Sequence, residues 1–225
     1  MTLTLPDLIT GIQETLLVNR YGRQDEEIDA YGESRRELYR DQQEKAAGRE
    51  LAFDTTIAYA DMIFTIQLRR VYHHEGRVTR VVYFTGGGDF KKAAPKVEDQ
   101  AAVQIAAWLA SQHYATAPIG CRVILHKTND DMEPIESKVV DFELWNPANL
   151  AEFIQERLSS LALHRNTPDA ELPECNEADR FALKTDAYCK CRTQCRVRDF
   201  CQQYAKVREL GVQKLAKAKS VLDFL

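Results

Sequence analysis

Five of the six cysteines fall between positions 175 and 201. Cys175 comes first, a gap of thirteen residues follows, and then come Cys189, Cys191, Cys195 and Cys201. Thiolates bind soft and borderline metals tightly, and four of them complete either a cubane cluster or a tetrahedral zinc site. Zinc ribbons bring paired ligands two to four residues apart on facing knuckles. The gaps of three and five residues between Cys191, Cys195 and Cys201 suit a loop wrapped around a larger centre better. The expected metal ligands are therefore Cys175, Cys191, Cys195 and Cys201, around an iron–sulfur cluster (4Fe–4S favoured), with zinc as the alternative. Cys189 is a spare thiol or stands in for Cys191. The sixth, Cys121, lies inside an apolar, strand-like run.

The same crowding in a small secreted chain would mean disulfides. Here the N-terminal residues Met1 to Pro6 have no basic-then-apolar export pattern, and no apolar run nears the ~20 residues of a membrane span. The expectation is a cytoplasmic protein with no membrane partner. The chain has 225 residues, 44% of them apolar, enough for one ordinary core plus a small appendage.

The formal net charge of −4 conceals an asymmetry. From Lys190 to Leu225 there are nine Lys or Arg against three acidic residues, a balance of +6, so everything before carries about −10. A basic tail on an acidic body suits a polyanion such as DNA, with Arg192, Arg196 and Arg198 placed to meet phosphate. Arg69, Arg70, Arg77 and Arg80 would add to that surface if they shared one face. A solvated, solubilising surface is the bland alternative for all of them.

Periodicity supplies the elements that must position these groups. Apolar residues at Leu5, Leu8, Ile9, Ile12, Leu16 and Leu17 have helical spacing. Asp25 to about Glu50 reads as a charged, water-facing helix whose Arg35, Arg36, Arg40, Lys45 and Arg49 could meet phosphate, a solubilising face being the alternative. The stretch from Asp61 to Tyr72 and that from Val78 to Phe84, with a turn at Glu75-Gly76, are predicted to form a hairpin. Glu98 to His113 is predicted helical. Cys121–His126 and Ile135–Trp145 form a second hairpin, and a helix starts at Asn146-Pro147, with Asn146 as N-cap. A basic amphipathic helix from Tyr204 closes the chain. Strand pairs alternating with helices indicate an α/β or α+β class. The expected division is a helical region 1–54, an α/β core 55–165, and a cysteine region with a basic helix, 166–225.

The segment from Leu172 to Phe181, with Cys191-x3-Cys195-Arg-Val-Arg-Asp-Phe-Cys201-Gln-Gln-Tyr204, resembles the C-terminal cysteine region of phage-type RecB-like nucleases. These belong to the PD-(D/E)XK superfamily, and the CRISPR-adaptation exonucleases with iron–sulfur clusters are similar. Val139 to Arg157 resembles the strand and helix that precede those cysteines. By position, Asp61 matches the first metal-binding aspartate, and Gln104-x3-Trp108 the glutamine-x3-tyrosine of the helix after the active-site hairpin. The resemblance spans about residues 55 to 204. It implies a mixed sheet flanked by helices, a cluster bracing a nuclease core, and DNA cleavage with magnesium or manganese.

The catalytic strand departs from that pattern. Such a strand needs an acid, one spacer and a lysine, since the carboxylate shares the metal and the lysine orients the attacking water. Here it reads Val81-Val-Tyr-Phe-Thr-Gly-Gly87. Neither Tyr83 nor Thr85 carries the required charge at neutral pH. Asp89-Phe90-Lys91 offers a substitute triplet just past the strand. Glu136-Ser137-Lys138 offers another, behind Asp130 and Asp131. The first expectation is a DNA-binding nuclease homologue of phage or mobile-element origin with a degenerate catalytic site. The second is an active exonuclease using Asp61, Asp89, Lys91 and Gln104. The third is a metal-stabilised module whose C-terminal helix docks a protein partner.

Overall fold

The computed structural model describes residues 1–9, 12–22, 30–84, 90–114, 117–129, 133–173, 197, 200–202 and 205, with backbone only over 30–36. The described residues form two compact units, Met1–Ile9 with Glu27–Ser159, and Thr10–Glu26 with Ser160–Leu225.

The first unit holds the strands β1 (Thr2–Thr4), β2 (Arg49–Glu50), β3 (Phe53–Tyr59), β4 (Met62–Leu68), β5 (Tyr72–His74), β6 (Arg77–Phe84), β7 (Gly120–Thr128) and β8 (Pro134–Phe142). They make a three-stranded sheet in the order β1-β4-β3 and a five-stranded sheet in the order β2-β5-β6-β7-β8. Both sheets are mixed, with β1 parallel to β4 and β6 parallel to β7. This is an α+β architecture.

Alternation explains the smaller sheet. Along β4, Phe64, Ile66 and Leu68 are buried while Ile63 is exposed, the pattern of a strand with one face on a core. Each such side chain contributes about 1.5–3 kcal/mol by leaving water. The larger sheet is built around β6 and β7, which are parallel and so need a long crossover. The link carries the helix α3 (Val97–Tyr114). It packs on β6 and β7, burying Val103, Ile105 and Leu109 between small residues (Ala102, Ala106, Ala107) that let the backbone approach closely.

The helix of Ala30–Ala46 is α2, that of Ile12–Tyr21 is α1, and that of Pro147–His164 is α4. At the start of α4 the Asn146 Oδ1 accepts from the Ala148 N–H at 2.9 Å, the expected N-cap, with Pro147 at the first position. Leu150, Ile154 and Leu158 recur on its buried stripe.

In the second unit Arg20, near the end of α1, donates to the carbonyls of Arg165 at 3.0 Å and Thr167 at 2.7 Å. It also pairs with the Asp169 carboxylate, so the chain leaving α4 has its carbonyl oxygens satisfied. Tyr21 donates to Asp169 at 2.6 Å and stacks on Phe200 with ring centroids 4.6 Å apart.

Three expectations need correction. The helix anticipated over residues 5–18 is divided into a 3-10 turn, Leu5–Leu8, and α1. The Asp7 carboxylate accepts from the Thr4 N–H and hydroxyl, each at 2.7 Å, which caps the short turn. Residues 1–54 are not simply helical, because β1, β2 and the first residues of β3 lie there. Nor does Asp61–Tyr72 pair with Val78–Phe84. Residues 62–68 turn back on β3 through Ala60 and Asp61, and β6 pairs instead with the short β5 across Glu75-Gly76. Glu75 and Gly76 both have positive φ, 51° and 72°, as a tight two-residue hairpin requires.

Candidate functional site

The last residues of β6 and β7 lie side by side, since the strands are parallel and Tyr83 is registered on His126. Their rings are 5.9 Å apart between centroids. His126 is in turn opposite Ser137 on β8, with Nδ1 2.6 Å from the Ser137 hydroxyl. A polar row of Tyr83, His126 and Ser137 therefore crosses three strands near the carboxyl ends of the parallel pair, the place where open α/β sheets take ligands.

Helix α2 presents Arg40 and Glu44, four residues apart and so on one face, to the same end of β6. The Arg40 guanidinium lies 6.0 Å from the Tyr83 ring centroid, and the Tyr83 hydroxyl is 3.4 Å from the Arg40 carbonyl oxygen. The buried Glu44 carboxylate accepts from the Tyr72 hydroxyl. Burial, followed by the Glu44 negative charge, pushes both phenols well above the ordinary tyrosine range. Burial also holds the His126 imidazole below its ordinary value. At neutral pH the cluster thus offers two protonated phenols and a neutral imidazole beside the Glu44 and Arg40 side chains. That set can donate hydrogen bonds to an anionic or polar ligand. The second carboxylate near it among the described residues, Glu50, raises the Tyr72 phenol further and accepts from the Arg70 N–H at 2.9 Å.

Of the anticipated catalytic residues, the described ones, Asp61, Lys91 and Gln104, are not gathered at this place. Asp61 is exposed at the turn between β3 and β4, in the smaller sheet. Lys91 sits in the 3-10 turn Phe90–Lys92, and its carbonyl accepts from Lys138 Nζ at 3.4 Å. Lys138 Nζ also donates to the Ala93 carbonyl at 2.8 Å, so the lysine of the second triplet ties β8 to that turn. Gln104 is buried on α3 and is held by backbone at both ends of its amide. Asp89, Asp130 and Asp131 lie outside the described residues.

Nor do the four hairpin arginines share a face. Arg77 and Arg80 are three residues apart on β6, and side chains alternate along a strand, so they point to opposite sides. Arg69 and Arg70 belong to the connection from β4 to β5. Three of the four are matched with acids: Arg69 with Asp54 at 2.6 Å, Arg77 with Asp141 at 3.6 Å and Arg80 with Asp99 at 3.5 Å.

Of the anticipated thiolate ligands, Cys201 is the described one. It is buried in the second unit, with Sγ 3.6 Å from Gln13 Oε1 on α1. Cys175, Cys189, Cys191 and Cys195, and with them Arg192, Arg196 and Arg198, lie outside the described residues. Among the described residues no three His, Cys, Asp or Glu side chains converge to hold a metal ion. No helix among them is long and apolar enough to cross a membrane.

The sequence singles out Arg40 as a phosphate contact and Ser137 as a spacer in a triplet, but does not place either at this site, and Glu44 and His126 are not anticipated at all. Glu44 lies on a helix that reads as uniformly charged, and His126 and Ser137 belong together only through strand register, which no local pattern reveals.

No family model and no curated protein matches the chain. Among solved structures it is similar to the crystal structure of SSO0001, at 15% identity and a TM-score of 0.47, over 74% of this chain and 78% of that one. A likeness so faint carries no argument.

Proposed function

We propose that the chain is a DNA-binding homologue of RecB-like, PD-(D/E)XK-type nucleases, of phage or mobile-element origin, whose own catalytic site is degenerate. It acts in the cytoplasm, holding DNA for a processing complex. The cysteine quartet Cys175, Cys191, Cys195 and Cys201 binds an iron–sulfur cluster or zinc and ties the basic C-terminal segment to the rest of the chain. Metal binding would supply folding free energy to a stretch too polar to fold alone.

The observation that carries the loss of cleavage is Tyr83. It occupies the position where the resemblance requires a metal-binding acid, and burial keeps its phenol protonated. A neutral hydroxyl cannot balance a divalent ion, and the neighbouring Glu44 is already engaged by Tyr72. The basic excess after Lys190 supports the DNA partner.

The test is to incubate end-labelled single-stranded DNA with the protein and Mn²⁺. Retarded but full-length DNA is expected. Shortened products that disappear in Asp61→Ala and Lys91→Ala would establish the active exonuclease instead. Absence of retardation even at ~50 mM salt, where phosphate contacts are strongest, would leave the protein-docking module as the surviving reading.

A further inference from the structure

The first unit contains a second candidate site, a cavity of about 480 Å³ at the edge of the larger sheet, lined by Arg49, Leu51, His73, Val78, Ala110 and Tyr114 among others. Ligand pockets usually fall between about 300 and 1,000 Å³ and combine an apolar lining with a few convergent polar groups. This cavity has both.

Its polar side is formed by Arg49 and His73, which are directly opposite each other on the antiparallel β2–β5 pair. Cross-strand partners sit within about 5.5 Å at Cβ, close enough for two donors to reach one ligand. The pair is held in place by the preceding glycine. A Cβ on Gly48, whose φ is +125°, would lie 2.6 Å from the His73 carbonyl oxygen, so only glycine lets this backbone approach. No carboxylate is among the described residues lining the cavity. Arg20, Arg69, Arg77, Arg80 and Arg122 each have an acid beside them. Neither the Arg49 guanidinium nor the His73 ring has one among the described residues. A guanidinium and an imidazole N–H, adjacent and without a counter-ion, are a binding pair for an oxyanion.

The opposite side is apolar and aromatic. Leu51 and Val78 are buried, and Tyr114 is braced edge-on by Phe53 at 5.4 Å and by His113 at 4.7 Å between ring centroids. Tyr114 ends α3. A helix C-terminus disfavours negative charge, so the anionic head of a ligand belongs at Arg49 and His73 and its neutral, planar part at Tyr114.

We propose that this cavity binds a 5′-phosphorylated nucleotide, with the phosphate between Arg49 and His73 and the base against Tyr114. The same chemistry is presented by a free mononucleotide and by the phosphorylated end of a DNA strand. In the second case the proposal rests on the DNA-binding reading, and in the first it stands without it.

Full-length protein is titrated by calorimetry with thymidine 5′-monophosphate, thymidine, inorganic phosphate and benzoate. The monophosphate is expected to bind at least tenfold more tightly than the other three. Arg49→Ala should lose that preference and Arg49→Lys should recover part of it. Arg49 is exposed, and circular dichroism verifies that the variants are folded. Two oligonucleotides of one sequence, with 5′-phosphate or 5′-hydroxyl ends, then separate the sources. A preference for the phosphorylated end that Arg49→Ala abolishes assigns the cavity to strand ends, and equal binding of the two assigns it to free nucleotide. Benzoate binding as tightly as the monophosphate, or Arg49→Ala binding the monophosphate like wild type, overturns the proposal. So does absence of monophosphate binding combined with equal retention of both oligonucleotides, an outcome that leaves the DNA-binding reading standing.

Discussion

The Gln104 side chain bridges the backbone on both sides of Leu144: its Nε2 donates to the Glu143 carbonyl at 2.7 Å, and its Oε1 accepts from the Trp145 N–H at 3.0 Å. Gln104 is buried, so this amide fixes the chain running from β8 to α4 against α3. Replacing it by alanine removes both hydrogen bonds, which are partly buried, and each is worth about 0.5–1.5 kcal/mol. Gln104→Ala is therefore expected to lower stability by about 1–3 kcal/mol, read as a shift of the urea midpoint with the slope unchanged. A midpoint within error of wild type would show that the bridge is dispensable.

His126 makes stability depend on pH. Its folded value lies below the ordinary one of about 6.5 because burial disfavours the imidazolium. The unfolded chain therefore takes up the proton first. The contribution of His126 is fully present above about pH 6.5 and declines as the pH falls from there through the folded value. Denaturation midpoints measured from pH 8 to pH 5 should fall along this range, and His126→Gln, which can still bond Ser137, should flatten that part of the curve. An unchanged profile in the variant would contradict the assignment.

Strands β6, β7 and β8 of the larger sheet were legible because their signals are local, whereas β2 lies where a helix was expected and β5 was not separated from the preceding strand. The turn at Glu75-Gly76, the apolar runs of β6 and β7 and the N-cap at Asn146 each lie within a few residues of the feature they specify. The smaller sheet was not. Its β3–β4 turn passes through Ala60 at a positive φ of 52° with no Gly, Asn or Pro to announce it. β1 is three residues long and pairs in parallel with residues about sixty positions away. Such pairings are paid for by tertiary packing rather than by propensity.

Cys121 differs from the clustered cysteines in chemistry as well as position. Its thiol is fully buried, donates to the Val103 carbonyl at 3.6 Å, and is pushed up to about 12 by burial. Thiolate is the reactive form. With native protein at pH 8, a thiol reagent should leave Cys121 unmodified, both before and after treatment with a chelator, and should label it only in denaturant. Peptide mapping that found Cys121 alkylated in folded protein would overturn this picture.

The candidate site was legible only as a defect. The sequence places Tyr83 where an acid was expected, but the companions Arg40, Glu44, His126 and Ser137 converge through the docking of α2 and the register of three strands. Those are long-range relations that spacing along the chain does not encode.

DNA binding is tested most directly by the salt dependence of its affinity for single-stranded DNA, measured at several salt concentrations with Mn²⁺ present. The account predicts that the logarithm of the binding constant falls linearly with the logarithm of salt, by about 0.7 per phosphate contacted, and that the DNA remains full length throughout. Affinity that does not change with salt, or DNA degraded by the purified chain, would contradict it.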